Sequence, residues 1–281
     1  MDVSCCYMQD NLASTGFSQA VRALEESRHC RQRAERLLRD YGCLLSSVVR
    51  DAVLVVQERG LGLAEIDALQ GKDPGSVYLP DWSRMDISSP WGKRSGQPLL
   101  RAVEGKRRRK GLLIWDLTAG WGEDAWLLAA LGHGVLAWEK SLPVYLCLAD
   151  AWSRVGLDHL WAALRILPQW GDAIIALHAL KSGEKNFTCP DVIYMDPLFP
   201  AVKGRKGKER KAMRILRLAA QGGEGDPEEM LWLSLRLAGR RVVVKRPRKG
   251  QALSAGGNSP VHSVWGRGFR YDIYIPDRQK R

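Results

Sequence analysis

The stretch GLLIWDLTAGWGEDA, residues 111–125, reads as a strand, a glycine-rich turn and the first residues of a helix. An apolar run ends on Asp116, and Gly120 and Gly122 follow before the helix. Glycine lets the backbone turn tightly and approach a ligand closely, and the first N–H groups of a helix are free to bind one. This order is typical of the first strand and helix of a parallel α/β sheet, although a tight turn alone would also explain it.

The rest of the chain after residue 111 repeats this pattern. Short apolar runs occur at GLLIWD (111–116), GVLAWE (134–139), LRILPQW (164–170), DVIYMD (191–196) and RRVVVK (240–245). Helices are predicted between them, near 123–131, 142–155, 172–181, 208–220 and 227–238. Such alternation predicts an α/β fold with a mostly parallel sheet and helices on both faces. The final segment, VHSVWGRGFRYDIYIP (261–276), predicts a C-terminal antiparallel hairpin at or near one edge.

The pattern before this region is different, and it predicts a small N-terminal α+β domain over residues 1–94, followed by the main domain over 95–281. Residues 18–41 have apolar side chains at helical spacing up to Gly42 and predict a helix. DAVLVVQERGLGLAEI (51–66) predicts two strands, and GSVYLPDW (75–82) predicts a third. The turn-rich DISSPWGKRSGQP (86–98) is the expected boundary.

Charge is distributed unevenly along the 281 residues. Residues 1–100 contain 12 Lys/Arg and 13 Asp/Glu, whereas residues 101–281 contain 31 and 18, so the excess positive charge lies in the second region. This asymmetry suggests a polyanionic partner, although a soluble protein with a basic isoelectric point would have the same composition.

Several classes of protein are disfavoured by the sequence. The six cysteines show no C-x-x-C pair and the five histidines are scattered, so no metal site is expected. The N-terminus MDVSCCYMQDNLAS lacks the basic start and apolar core of a signal peptide, and no apolar stretch reaches the ~18 residues of a membrane span. We therefore expect a cytoplasmic protein without membrane contact.

Acidic residues end three of the predicted strands, and ligands of open α/β sheets bind at the carboxyl ends of the strands. Glu139 ends the second strand, 23 residues after Asp116, where a carboxylate suits the two ribose hydroxyls of an adenosine cofactor. Asp172 follows the third strand and could accept from an adenine amino group, act as a helix N-cap, or do both. A dinucleotide dehydrogenase would share these features, with Ala125 in place of its third glycine.

The stretch DVIYMDPLFP, residues 191–200, favours methyl transfer to an exocyclic nitrogen over hydride transfer. The lone pair of a nucleobase amine is delocalised into the ring, so hydrogen bonds to Asp196 and to the Pro197 carbonyl would localise and aim it. Phe199 could stack on the target base, a contact worth about 1–3 kcal/mol in single-stranded sites. These three residues are the catalytic candidates, and a rigid turn after a buried strand is the alternative.

Four segments, DLTAGWGEDAWLLAALGHGV, DVIYMDPLFP, RRVVVKRP and FRYDIYI, occur in this order and resemble the RsmJ family of bacterial 16S rRNA (guanine-N2)-methyltransferases. The resemblance covers residues 111–281. It implies a class I, Rossmann-like fold that uses S-adenosylmethionine, releases S-adenosylhomocysteine and needs no metal. It also implies methylation of N2 of a guanosine in small-subunit rRNA, as naked rRNA or in the 30S particle, with no obligate protein partner evident.

The resemblance also implies cofactor-binding residues, some of which depart from the family pattern. The implied set, together with the strand-end acids, is Asp116, Gly120, Gly122, Glu123, Asp124, Glu139, Lys140, Gly171, Asp172 and Asp196. Glu123-Asp124 stands where the family usually has Arg-Asp, and Gly171-Asp172 stands where it often has two serines. Trp121 is expected near the cofactor, whereas Trp115, Trp126, Trp138 and Trp152 are expected in the core.

Three basic clusters could contact RNA, namely residues 106–110, 203–211 and 245–249. The last two follow strand ends that should border the active site, and they supply the RNA-binding candidates Lys203, Arg205, Lys206, Lys208, Lys211, Lys245 and Arg246. Basic runs are also common on solvated surfaces. Two other functions stay open, an N-methyltransferase of this fold acting on DNA, tRNA or protein, and a non-catalytic RNA-binding protein.

Overall fold

The computed structural model describes residues 21–23, 32–37, 39–41, 51–65, 77–85, 97–107, 109–183, 187–198, 211–220 and 225–276. Its largest element is a seven-stranded sheet. In spatial order the strands are β6 (Ile166–Trp170), β5 (Gly134–Glu139), β4 (Leu113–Asp116), β7 (Val192–Met195), β8 (Arg241–Pro247), β10 (Phe269–Tyr274) and β9 (His262–Trp265). The first five are mutually parallel, and β10 is antiparallel to both of its neighbours. The predicted α/β fold with a C-terminal hairpin is confirmed.

Helices cover both faces of this sheet. They are α2 (Pro98–Glu104), α3 (Glu123–Ala130), α4 (Leu142–Ser153), α5 (Leu160–Ala163), α6 (Ala173–Ser182), α7 (Lys211–Ala219) and α8 (Pro227–Leu237). One core contains α2, α3 and α5, and the other contains α6 and α8. Alternate residues of each strand enter the two cores, as Tyr194 and Ile193 of β7 do. No helix among the described residues is long and apolar enough to cross a membrane.

The central strands are apolar because both of their faces are covered. All four residues of β7 are fully buried, and each such side chain contributes roughly 1.5–3 kcal/mol to folding. Two of the helices, α6 and α8, begin at side-chain caps. Asp172 accepts from the Ile174 N–H at 2.9 Å, and Asp226 accepts from the Glu228 N–H at 2.9 Å.

A separate three-stranded sheet precedes this body and corrects one prediction. It consists of β1 (Val21–Ala23), β2 (Ala52–Gln57) and β3 (Gly60–Glu65), with β2 in the middle. A single helix over 18–41 is wrong, because β1 pairs in parallel with β2 and only residues 32–37 and 39–41, which we call α1, are helical among those described. Backbone pairing with the apolar β2 outweighs the local helical spacing. The two strands predicted around Arg59 and Gly60 are confirmed.

The third predicted N-terminal strand, over 75–82, is also wrong. Among the described residues of this stretch, 77–82, only Tyr78 pairs with the sheet, exchanging backbone hydrogen bonds with Leu63 at 2.9 and 2.7 Å. Pro80 then has no N–H to continue a ladder, and a 3₁₀ turn over Trp82–Arg84 begins after the Asp81 cap.

The small sheet packs directly on the main body. Leu54 and Leu63 share a core with Cys147 of α4 and Ile215 of α7. Asp150 of α4, only 2% exposed, accepts from the Leu61 N–H at 2.8 Å and binds the guanidinium groups of Arg33 and Arg154. The predicted domain boundary at residue 94 lies outside the described residues, so the division at that point stays a prediction.

Candidate active site

A cavity of about 680 Å³ opens at the carboxyl ends of the parallel strands. Of the residues predicted from the sequence, it is lined by Asp116, Gly120, Glu123, Asp124, Glu139, Lys140, Asp172, Asp196, Pro197 and Lys245. Its volume lies in the range of about 300–1,000 Å³ that is usual for small-molecule sites. The parallel sheet therefore gathers side chains from residues 116 to 245 around one space.

The glycine turn is fixed by the carboxylate at the end of β5. Gly120 has φ +54°, and its N–H donates to Glu139 Oε2 at 2.8 Å. Glu139 Oε1 accepts from the Ser141 N–H at 2.7 Å. A Cβ on Gly120 would make an ordinary van der Waals contact, 3.5 Å from Leu216, so the positive φ rather than a steric clash favours glycine there. Each carboxylate oxygen has a second lone pair, so Glu139 can still accept from a ligand hydroxyl.

Gly122 has a different role from Gly120. It lies outside the cavity lining, has φ +78°, and caps the start of α3. A Cβ there would be 2.4 Å from both Leu148 and Trp82, so the site requires glycine for helix packing. The next residue, Glu123, accepts from the Tyr78 hydroxyl at 3.1 Å. The Tyr78 contact brings the N-terminal segment to the rim of the cavity.

Asp172 acts both as a helix cap and as part of the cavity wall. Besides its bond to the Ile174 N–H, it forms an ion pair with Lys140 at 2.8 Å. Gly171 does not line the cavity and packs beside the Trp138 ring. The acid of the predicted Gly171-Asp172 pair therefore faces the site and the glycine does not.

Lys245 joins the two sides of the cavity. Its ammonium group lies 2.9 Å from Asp124 Oδ2 at the start of α3 and 2.9 Å from Asp196 Oδ2 after β7. The Tyr194 hydroxyl also donates to Asp124 Oδ2, at 2.5 Å. The Asp196 N–H donates to Thr118 Oγ1 at 2.6 Å, which fixes the backbone before Pro197. The network holds the Asp196 carboxylate at the cavity wall.

Burial and neighbouring charge set the ionisation of this network. Loss of water contact raises the pKa of Asp196, and Lys245 opposes this rise. Burial alone would lower the pKa of Lys245, but Asp124 and Asp196 outweigh burial and raise it, so the ammonium stays charged. Burial also raises the pKa of Asp116, which is 1% exposed and accepts from the Thr118 N–H at 3.1 Å.

Helix α7 covers the cofactor side of the cavity. Trp121 Nε1 donates to the Ala212 carbonyl at 3.2 Å, and Ser141 Oγ donates to the Ala219 carbonyl at 2.8 Å. Met213 and Leu216 face the cavity from α7. The expectation that Trp121 lies near the cofactor site agrees with its place in the lining, and the core positions of Trp115, Trp126 and Trp138 are confirmed.

Some predicted residues lie elsewhere or are not described. Five of the predicted site residues lie outside the described residues, namely Phe199, Lys203, Arg205, Lys206 and Lys208. Lys211 begins α7. Arg246 is 8% exposed on the face of β8 opposite to Lys245, a geometry that favours a structural role rather than RNA contact.

Sequence reasoning missed Thr118, Tyr194 and the ion pairs of Lys245. Thr118 and Tyr194 are ordinary residues in their segments, and their partners are 78 and 70 residues away in sequence. A signal was present for Lys245, because it ends an apolar strand at the sheet edge where the acids gather. Its place in the basic run 245–249 predicted RNA contact instead.

Comparisons with known proteins agree with this geometry. Residues 44–276 match the family described as "Putative SAM-dependent methyltransferase". A protein named ribosomal RNA small subunit methyltransferase J from Marinobacter nauticus is 34% identical over 250 residues, covering 86% of this chain and 80% of its own. The protein of that name from Coxiella burnetii is 34% identical over 274 residues, covering 95% and 98%.

A solved structure supports the fold over nearly the whole length. The crystal structure of a SAM-dependent methyltransferase from Neisseria gonorrhoeae superposes with a TM-score of 0.62 at 24% identity, covering 92% of this chain and 96% of the other. The family match, the relatives and the cavity at the strand ends lead to one conclusion. The chain belongs to the ribosomal RNA small subunit methyltransferase J family of SAM-dependent methyltransferases.

Proposed function

We propose that this protein transfers a methyl group from S-adenosylmethionine to the exocyclic N2 of a guanosine in small-subunit ribosomal RNA. The observation that carries the proposal is the position of Asp196 and Pro197 on the wall of the cavity that also contains Gly120 and Glu139. A nucleobase amine and a methyl donor bound in one cavity can meet directly. The names of the relatives and the excess of basic residues after residue 100 support an rRNA substrate.

The cofactor end of the cavity fits an adenosine-containing ligand. Glu139 can accept from ribose hydroxyls, Asp172 lies on the next strand end toward the sheet edge, and Gly120 places the backbone of the turn on the cavity wall. S-adenosylmethionine, when bound, supplies an electrophilic methyl group on a sulfonium sulfur. The proposed cofactor site also includes residues that contact the cofactor or hold those that do, namely Asp116, Gly122, Glu123, Asp124, Lys140 and Gly171.

The substrate end of the cavity orients the amine. The N2 protons would donate to an Asp196 carboxylate oxygen and to the Pro197 carbonyl, which localises the nitrogen lone pair toward the methyl group. As the N–C bond formed, the S–CH3 bond of the sulfonium would break and S-adenosylhomocysteine would leave, while the Asp196 carboxylate stabilised the positive charge developing on N2. One N2 proton would then pass to the Asp196 carboxylate, and from it to water, which restores the neutral amine. Phe199 is proposed to stack on the extruded base.

Lys245 supports this role by holding Asp196 in place and charged. The ion pair occupies one side of Oδ2 and leaves Oδ1 for the amine. Because Lys245 also binds Asp124 at the start of α3, it connects the amine site to the proposed cofactor site. The proposed RNA contacts outside the cavity are Lys203, Arg205, Lys206, Lys208 and Lys211. For Lys245 and Arg246 we propose internal roles instead, which their ion pairs and burial support.

The experiment that tests the proposal is methyl transfer from labelled S-adenosylmethionine to small-subunit rRNA, both naked and in the 30S particle, with the modified position mapped. We expect label on N2 of a single guanosine. Asp196→Ala should abolish transfer while binding S-adenosylhomocysteine normally, and Asp196→Asn should retain some activity if orientation dominates over charge. Label on DNA, tRNA or protein in place of rRNA, or an Asp196→Ala variant as active as wild type, would contradict the proposal.

A further inference from the structure

An exposed aromatic residue stands among basic residues at the hairpin edge of the sheet. Trp265, the last residue of β9, is 52% exposed. The guanidinium carbons of Arg248 and Arg270 lie 5.3 and 5.7 Å from the centroid of its ring. Arg248 is held there by a bond from its Nη1 to the Gly266 carbonyl at 3.1 Å. Exposed indole with guanidinium partners is a common arrangement in nucleic-acid binding sites.

The charge around Trp265 favours a polyanion. Residues 245–271 contain no Asp or Glu and six Lys and Arg, of which Lys245 is paired in the cavity and Arg246 and Arg270 are buried. Asp272, the next acid, is fully buried and is paired with Arg270 at 2.7 Å, so it presents no negative charge to a partner. Arg248, Lys249 and Arg267 are exposed at the turns of this edge. A protein or membrane partner without dense negative charge would not match this surface.

The surface also lies within reach of the proposed active site. Because β9 is antiparallel to β10, which is antiparallel to β8, Trp265 ends at the same edge of the sheet as Asp196. From β7 to β9 there are three strand spacings, about 14 Å in all. That distance corresponds to about four stacked nucleotides at ~3.4 Å each. Trp265 is paired with Arg270 and lies on the face of the sheet opposite to Lys245. The RNA would therefore pass over the edge of the sheet at Lys249 and Arg267 to reach both faces.

We propose that Trp265 and Arg248 form a stacking platform for an unpaired nucleotide that flanks the target guanosine in the RNA. Lys249 and Arg267 contact the phosphates between that nucleotide and the target guanosine. The inference rests on the proposed RNA substrate. The platform anchors the flanking strand and contributes affinity and register rather than chemistry.

The test compares Trp265→Ala with Trp161→Ala on two RNA fragments that contain the mapped target. Trp161 is a matched control, because it is 46% exposed and lies in α5, beside the opposite edge strand. One fragment keeps about six nucleotides on each side of the target, within the span of known single-strand sites, and the other keeps only the adjacent neighbours.

For Trp265→Ala we expect KM for the long fragment to rise about 5- to 50-fold, with kcat and S-adenosylhomocysteine affinity unchanged. The short fragment should show no difference, Trp161→Ala should match wild type on both fragments, and Trp265→Phe should recover part of the loss. A Trp265→Ala variant that behaves as Trp161→Ala does would overturn the platform. So would a loss confined to the 30S particle, which would indicate a ribosomal protein as the partner.

A second measurement does not depend on the Trp265 variant. Neutralising Lys249 and Arg267 with Gln should reduce the slope of log affinity against log salt for the long fragment by about 0.7 per residue. An unchanged slope would exclude phosphate contact by this edge. If wild type methylates no rRNA, the proposed function fails and no target is mapped. Binding of an unstructured single-stranded RNA of the same length, measured by fluorescence anisotropy in the same variants, then still decides whether this edge binds RNA.

Discussion

At the residue scale, Lys245 shows how one side chain can serve two sites. Its ammonium group is 24% exposed and balances two carboxylates that come from different elements, Asp124 and Asp196. The other titratable groups that act on it or on Asp196 are Tyr194, Tyr271 and Asp116. Removal of Lys245 would leave the two acids facing each other without a counter-charge. The first prediction follows from that arrangement.

Lys245→Met should raise the pKa of Asp196 further above its usual range, because burial and the charge of Asp124 would then act on it without the opposing charge of Lys245. Since the proposed role needs the ionised carboxylate, the acidic limb of the kcat–pH profile should move to higher pH and activity should partly recover there. Lys245→Arg, which keeps the charge, should stay close to wild type. An acidic limb that is identical in Lys245→Met and wild type would exclude this role.

Glu139 carries the second residue-scale prediction. Glu139→Ala should weaken S-adenosylhomocysteine binding by about 1–3 kcal/mol, because it removes a charged acceptor for the ribose and frees the Gly120 turn. Glu139→Gln keeps one acceptor and should fall between Ala and wild type. Calorimetric titration measures both, with Glu228→Gln on the exposed start of α8 as the control. Equal affinities in all four proteins would remove Glu139 from the cofactor site.

The residues that the sequence could and could not predict differ in one physical respect. Asp116, Glu139 and Asp196 were predictable because a parallel sheet brings its strand ends together regardless of which strands are neighbours. The pairing of Lys245 with Asp124 spans 121 residues and depends on strand order, which local patterns do not specify. Side-chain direction also limited the prediction of which basic residues face the cavity, since Lys245 and Arg246 are adjacent in sequence and lie on opposite faces of the sheet.

At the element scale, the small N-terminal sheet supports the helix that covers the cavity. Ile215 of α7 packs in the core of β2 and β3, and Arg214 forms an ion pair with Glu65. The main sheet was predictable from its repeating strand and helix periods. In the N-terminal region β2 and β3 were also predictable, but β1 was not, because it depends on a partner about thirty residues away, as Val21 opposite Leu54 shows.

Asp150 gives the element-scale prediction, because it joins α4 to this sheet. Asp150→Ala should lower the free energy of unfolding by on the order of 2–4 kcal/mol, since it leaves the Leu61 N–H and two guanidinium groups without their acceptor. The partly exposed arginines keep the expected loss below that of a fully buried pair. Urea denaturation measures it, and Asp158→Ala on the exposed 3₁₀ turn should change stability by less than about 0.5 kcal/mol. Equal losses in the two variants would show that this junction does not stabilise the fold.

At the scale of the whole molecule, stability and activity depend on pH through separate groups. The proposed active site contains Asp124, Asp196 and Lys245 at the carboxyl edge of the sheet. His133 lies at the opposite edge, fully buried just before β5. Its Nδ1 accepts from the Leu112 N–H at 3.3 Å, so the proton is on Nε2, which lies 3.2 Å from Glu104 Oε1. The neutral ring thus joins α2 to the central strands.

The last prediction concerns this histidine. Burial lowers the pKa of His133 below its ordinary value of about 6.5, and Arg165 adds to this effect, although Glu104 opposes it. The unfolded chain therefore takes up a proton at higher pH than the folded protein does, so this group's contribution to stability is complete above about pH 7 and is lost as pH falls below ~6.5. One histidine contributes at most about 1.4 kcal/mol per pH unit.

His133→Gln, which keeps a donor and an acceptor but does not titrate, should lose stability at neutral pH and should show a smaller decline than wild type between about pH 7 and pH 5. Urea denaturation at several pH values measures the difference. A wild-type minus variant difference that does not change over this range would mean that His133 has the same proton affinity in the folded and unfolded states.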